Sequence, residues 1–191
     1  NFSLDVTDAS GGTADTLNPA TEEFSIIADE SWSEFTPKFA IDYFVTPSAL
    51  VYASASKGYK SGGFQGFAPS AAAAVVPFDP ETAWSYEIGA KTQWFHDTSQ
   101  VNLAGFSTDF KDLQFRQRVL TVPGDQSSAI VIILNAADAT ITGIEAGIQW
   151  LPAEGFTLSA NYTYLDTELK KFLEGVPGIN PGFTDLSGNK L

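Results

Sequence analysis

Apolar and polar residues alternate with a period of two along most of this chain, and each alternating block predicts a β-strand with one apolar face and one polar face. From Phe35 the odd positions read Phe35, Pro37, Phe39, Ile41, Tyr43 and Val45, against Thr36, Lys38, Asp42 and Thr46 at even positions. Pro37 has no amide to give to a ladder, so it is expected near the strand's start or at a bulge. Over 81–94, Thr82, Trp84, Tyr86, Ile88, Ala90, Thr92 and Trp94 share one face, and Ser85, Glu87, Gly89, Lys91 and Gln93 share the other. The same rhythm sets Thr142, Ile144, Ala146, Ile148 and Trp150 against Gly143, Glu145, Gly147 and Gln149. It recurs with Phe156, Leu158, Ala160, Tyr162 and Tyr164 against Thr157, Ser159, Asn161 and Thr163. Two segments are less regular. Residues 49–57 are rich in small side chains, and 101–119 switches its apolar phase between Leu103 and Phe106, which predicts a bulge or bend there.

The connections carry as much information as the strands. Short turns at 45–48, 95–99 and 151–155 alternate strictly with longer irregular stretches at 59–80, 120–128 and 168–191. In an up-and-down sheet this puts every short turn at one end and every long loop at the other, the layout of a transmembrane β-barrel with short periplasmic turns and long extracellular loops. Residues 140–150, at about 3.3 Å each and tilted by about 45°, cover roughly 26 Å, close to the ~25 Å apolar band of such barrels. Trp94 and Trp150 fall at the short-turn end, whereas Trp84, Tyr86, Tyr162 and Tyr164 fall toward the long-loop end, which predicts two aromatic girdles at headgroup level. A soluble antiparallel sandwich also alternates, and pattern alone leaves it open; sorting of loop lengths by end favours the barrel.

Composition narrows the function. No run of 18 or more apolar residues occurs, so a bilayer could be crossed only by a closed barrel. A formal charge of −13 has the wrong sign for a nucleic-acid partner. There is no Cys, and His96 is the one imidazole, placed in a short turn without a nucleophile elbow, so thiolate and triad chemistry are absent. Asp5, Asp8 and Asp15 lack EF-hand spacing, and no Asp or Glu stands out from its strand pattern as a glycosidase pair. The expectation is no catalytic residue, no metal site and no cofactor. The chain contains no Met and no signal-peptide pattern, and it opens and closes in loop-like sequence, as expected of a segment from a longer protein.

Four blocks in order, LVYASASKGYKSGGF (50–64), FDPETAWSYEIGAKTQWF (78–95), VNLAGFSTDFKDLQF (101–115) and NAADATITGIEAGIQWLPAEGFTLSANYTYLD (135–166), closely resemble the later barrel of TonB-dependent outer-membrane receptors, of the iron-complex type. DLSGNKL (185–191) resembles the loop before the next strand in that family. The resemblance implies a barrel of about 22 strands with a plugged lumen, of which this all-β, antiparallel segment supplies about six or seven. It implies extracellular-loop-like segments at 1–31 and 168–191, transmembrane strands over 32–167, and location in the bacterial outer membrane. The implied partners are outer-membrane lipid, an energy-coupling protein (TonB) acting through a plug domain not found in this sequence, and a ligand such as a ferric siderophore, vitamin or oligosaccharide. A passive porin and a soluble β-sandwich carbohydrate-binding module are the alternatives. In the barrel, Glu87, Lys91, Glu145 and Gln149 face the lumen, for plug contacts or the substrate path. Gly89, Gly143 and Gly147 share that face, where a plug or neighbouring backbone approaches closely or the sheet curves. Lys57, Tyr59, Lys60, Arg116 and Arg118 are the candidate rim residues, the four cations being suited to attract an anionic chelate.

Overall fold

The computed structural model of the chain describes residues 2–6, 26–66, 74–120, 122, 124–174 and 184–190. Its strands are β1 (Phe2–Val6), β2 (Ile26–Glu30), β3 (Lys38–Thr46), β4 (Ala49–Lys60), β5 (Gly63–Phe64), β6 (Pro77–Phe78), β7 (Glu81–Trp94), β8 (Ser99–Leu120), β9 (Ala129–Ala153), β10 (Phe156–Glu174) and β11 (Thr184–Asp185). Seven of them form one antiparallel sheet in the order β11-β10-β9-β8-β7-β4-β3, a meander in which chain neighbours are sheet neighbours. β1 pairs with β2, and β5 with β6, as separate hairpins. The sheet is open among the described residues, as expected of part of a barrel.

The strand registers carry the alternation across the sheet. Ile41 pairs with Ala53, Ala53 with Ile88, Ile88 with Gly105, Gly105 with Ile144 and Ile144 with Tyr164. Because partners on a rung share a face, these residues form one continuous apolar surface. Ile41, Ile88 and Ile144 are 69%, 67% and 56% exposed. A sandwich would cover such a face with a second sheet; among the described residues no second layer does so. Beyond the belt, Ala137, Ala139 and Leu169 form a small buried cluster packed with Phe110, Leu113, Phe115 and Phe172, and Phe64, Val119, Leu120 and Gln117 are buried as well.

Several boundaries differ from expectation. β3 begins at Lys38 rather than Phe35, and Pro37 stands just before it, where its carbonyl accepts from the Lys57 amide at 2.9 Å. The strand pairing does not stop at residue 167: β10 runs on to Glu174, with Leu169 opposite Ala139. The 1–31 segment contains the β1–β2 hairpin, while 7–25 and 175–183 lie outside the described residues.

The bulge expected between Leu103 and Phe106 is not there: residues 99–110 pair with β9 without interruption. Phe106 instead points to the polar face and covers its rung partner Gly143. A Cβ at Gly143 would lie 2.5 Å from Phe106 Cζ and 2.8 Å from the Tyr164 carbonyl oxygen, a backbone atom that cannot swing away. Gly143→Ala is therefore expected to cost about 1–3 kcal/mol through overpacking, read as a lower denaturation midpoint of the full-length protein in lipid; an unchanged midpoint would show that the assembled barrel opens this contact. The register shifts fall later, between Phe110 and Gln114, where Asp112 takes φ +55°.

The β7–β8 turn is strained. Phe95, His96 and Asp97 all have positive φ, at 53°, 57° and 67°. The left-handed region costs a side-chain-bearing residue about 1–2 kcal/mol, so His96→Gly should gain about 1 kcal/mol in the same unfolding measurement after the flexibility of glycine in the unfolded chain is counted. A loss instead would mean that the imidazole holds the turn.

Candidate functional site

The face opposite the apolar belt carries the polar side chains expected there. On β4 and β7, Tyr52 lies opposite Gly89, and its ring occupies the space a side chain at 89 would need: a Cβ there would be 2.5 Å from the ring. The Tyr52 hydroxyl donates to Glu87, with Glu145 close enough to act on it electrostatically. Lys91 Nζ stands 5.5 Å from the centroid of the Tyr52 ring, a cation–π arrangement. Gln100 donates to Asn102 at 3.1 Å, and Asn161 approaches its own rung partner Gly147. Glycines 89 and 143 thus let aromatic rings lie flat on the wall, keeping it smooth while carboxylates project from it. The two carboxylates and one ammonium leave this patch of wall with a negative balance.

The opposite surface bears the aromatic residues that the sequence pattern assigns to girdles. Trp94 and Trp150 both pair with Ser99 and so share a rung at the short-turn end, and Trp94 Nε1 donates to Thr92 at 2.8 Å. Trp84 and Tyr86 stack with centroids 5.9 Å apart. Tyr162 and Tyr164 are exposed on the same surface, on the rungs of Ala146 and Ile144, whereas the rung of Tyr86 reaches β10 at Asp166. On strands tilted by about 35–45° a rung is not a level of constant depth.

The candidate rim residues are not brought together. Lys57 and Tyr59 lie on the apolar side of β4, opposite Trp84 and Thr82, and Lys60 on the polar side. Lys57 is ion-paired with Glu34, and Lys60 with Glu81 at 3.3 Å. Arg118 on β8 donates to the Gln126 side chain at 2.9 Å and to its carbonyl at 3.3 Å, bracing the β8–β9 loop. Arg116 is exposed. The Tyr59 hydroxyl is enclosed without a hydrogen-bond partner.

Two features escape sequence reasoning. The first is the bulge at Asp112, whose amide donates to Asp138 at 3.1 Å while Lys111 pairs with the same carboxylate at 2.8 Å. The second is the docking of the β4–β7 connection onto β8 and β9. Gln114 donates to the carbonyls of Ser61 and Asp79 at 2.9 and 3.0 Å, and its amide donates to Glu81 at 3.0 Å. Asn135 donates to Asp79 and Asp112 carbonyls and accepts from the Asp79 amide, each at 2.8 Å. Gly62 and Gly63 fit beneath Trp32 and Phe78, where a Cβ would be 2.7 and 2.8 Å from the rings.

Among the described residues no group of three or more His, Asp or Glu is placed to hold a metal ion, and no helix is long and apolar enough to cross a membrane, which says nothing of strands. Asp8 and Asp15 lie outside the described residues.

The chain is similar to the pesticin receptor of Yersinia pestis, 28% identical over 128 residues that cover 66% of this chain and 17% of that receptor. It is also similar to the metal-pseudopaline receptor CntO of Pseudomonas aeruginosa, 29% identical over 140 residues, 71% of this chain and 17% of the receptor. The chain therefore spans less than a fifth of the length of these relatives. Its fold matches the ferric yersiniabactin uptake receptor FyuA of Yersinia pestis with a TM-score of 0.55 and 26% identity, over 69% of this chain and 18% of that one. It matches the siderophore receptor PiuA of Acinetobacter baumannii with the same TM-score at 22% identity, over 80% and 21%. The family profile "TonB dependent receptor-like, beta-barrel" matches residues 1–191. With the profile spanning every residue and a meander bearing a lipid-type belt on one face and a polar wall on the other, the chain belongs to the TonB-dependent receptor β-barrel family of the bacterial outer membrane.

Proposed function

We propose that this chain forms part of the barrel wall and outer rim of an active importer of a scarce nutrient, with a ferric siderophore or related metal chelate as the leading ligand class. Membership of the receptor-barrel family along the whole chain carries this reading. Relatives named for metal-pseudopaline and for ferric yersiniabactin uptake support the ligand class. In this reading the apolar belt faces lipid, and the wall bearing Tyr52, Glu87, Lys91 and Glu145 faces a plug domain. An inner-membrane coupling protein pulls on that plug to release the ligand inward. The residues described here bind, position and exclude; no bond is made or broken. The ion pairs of Lys57 and Lys60 reduce their pull on an anionic chelate, which leaves Arg116 as the more available rim cation.

The test uses the full-length receptor in cells starved of iron and supplied in turn with a panel of radio-iron chelates. Uptake of at least one chelate is expected to need both the receptor and the coupling protein. Uptake that persists undiminished without the coupling protein would favour a passive porin, and no receptor-dependent chelate uptake would move the ligand to another nutrient class.

A further inference from the structure

The docked β4–β7 connection borders an open-sided pocket. Its volume is about 270 Å³, and it lies between Val76, Pro77 and Phe78 on one side and Ile130, Ile132 and Leu134 of β9 on the other. The pocket is built rather than left over. Gln65 bridges the backbone of Ile133 as a neighbouring strand would, its Nε2 donating to the carbonyl at 2.7 Å and its Oε1 accepting from the amide at 2.9 Å. Asp79 and Asn135 close the other end through their paired hydrogen bonds. The polar side-chain amides at its edge, Gln65 and Asn135, are therefore spent on holding the loop, and what remains facing the space is aliphatic and aromatic. Among the described residues no Lys or Arg lines it, and the ionisable group that adjoins it is the carboxylate of Asp79, which disfavours an anionic occupant.

We propose that this pocket receives an uncharged, ring-sized apolar group of the imported molecule, so that selection at this part of the rim acts on the molecule's apolar substituent rather than on its charge. Size agrees: a dry apolar cavity of about 150 Å³ suffices for benzene, so this one takes a substituted or fused ring. The inference rests on the import reading only in identifying the group's owner; the pocket's preference for an apolar ring follows from its walls.

Crystals of the full-length receptor soaked in iodobenzene provide the test, because iodine's anomalous scattering locates a neutral ring directly. A peak is expected between Phe78 and Ile132 in the wild type and in Val131→Asn, whose exposed side chain does not line the pocket. It should vanish in Ile132→Asn, which makes the wall polar, and in Phe78→Trp, which fills the space while keeping it apolar. An empty or water-filled pocket in the wild type, another segment of the receptor occupying it, or equal binding in Ile132→Asn and Phe78→Trp would each overturn the assignment. Iodobenzene binding requires no coupling protein, so coupling-independent uptake beside a clear iodine peak sinks the import reading alone. Coupling-dependent uptake without a peak sinks the pocket alone.

Discussion

Arginine in place of Ile144 is expected to destabilise the full-length receptor by about 2–4 kcal/mol, while arginine in place of Trp150 should cost only about 0–1 kcal/mol. Both side chains lie on the apolar face of β9 and are similarly exposed, 56% and 45%. They differ in place along the strand. Ile144 shares its rung with Gly105 and Tyr164 in the middle of the belt, and Trp150 shares its own with Ser99 and Leu158 beside the short turn. Six residues at about 3.3 Å, tilted by about 45°, separate them by roughly 14 Å in depth. At the bilayer centre a guanidinium has nothing to solvate it, whereas near the interface it reaches headgroups and water. Arginine at Gln149, on the wall face, should cost little. Reversible unfolding in lipid vesicles measures all three. Equal penalties at 144 and 150 would count against a bilayer, because burial in a protein core penalises a charge without regard to depth.

Alternation made the faces legible because it is a local signal: whatever the fold, Trp84, Tyr86 and Ile88 point one way and Glu87 and Lys91 the other. The alternation of short and long connections gave the meander for the same reason. The bulge shows where local reading ends. A change of apolar phase at Phe106 has two physical causes, an inserted residue or an aromatic ring turned inward over a glycine, and the deciding residue, Gly143, is on another strand. The true bulge at Asp112 depends on a carboxylate 26 residues away, and Gln65 finds its partner 68 residues on. The rim was misleading in a similar way. Lys57 and Lys60 look like free cations in sequence, but Glu34 and Glu81 reach them across 23 and 21 residues of chain. Sequence spacing assigned these side chains to a strand end without revealing which charges were already matched. Arg118 likewise proved to brace its own loop.

If the wall faces a cationic surface of a plug domain, as the proposed import function requires, neutralising both wall carboxylates, Glu87→Gln together with Glu145→Gln, is expected to loosen that plug by about 3–5 kcal/mol, the cost of leaving the opposing charges buried without partners. The motive is the charge balance of the patch. The Tyr52 hydroxyl donates to Glu87 with Glu145 nearby, and Lys91, the ammonium beside them, lies over the Tyr52 ring, so the patch carries a net negative charge. The flat rings over Gly89 and Gly143 allow a filling domain to approach closely enough to exclude water, and exclusion of water makes an ion pair there strong and its loss costly. A plug that carries cationic side chains against this patch satisfies both requirements. Hydrogen exchange in the plug of the full-length receptor should therefore accelerate in the double variant by two orders of magnitude or more, on the basis that each 1.4 kcal/mol is about tenfold, while exchange in the barrel strands stays as it was. Tyr52→Phe keeps both carboxylates and should leave plug exchange nearly unchanged, which separates a charge effect from a disturbance of the wall. Unaltered plug protection in the double variant would mean that the wall charges face water and serve the substrate path instead, and uptake rates measured in the same variants would then move while plug exchange did not.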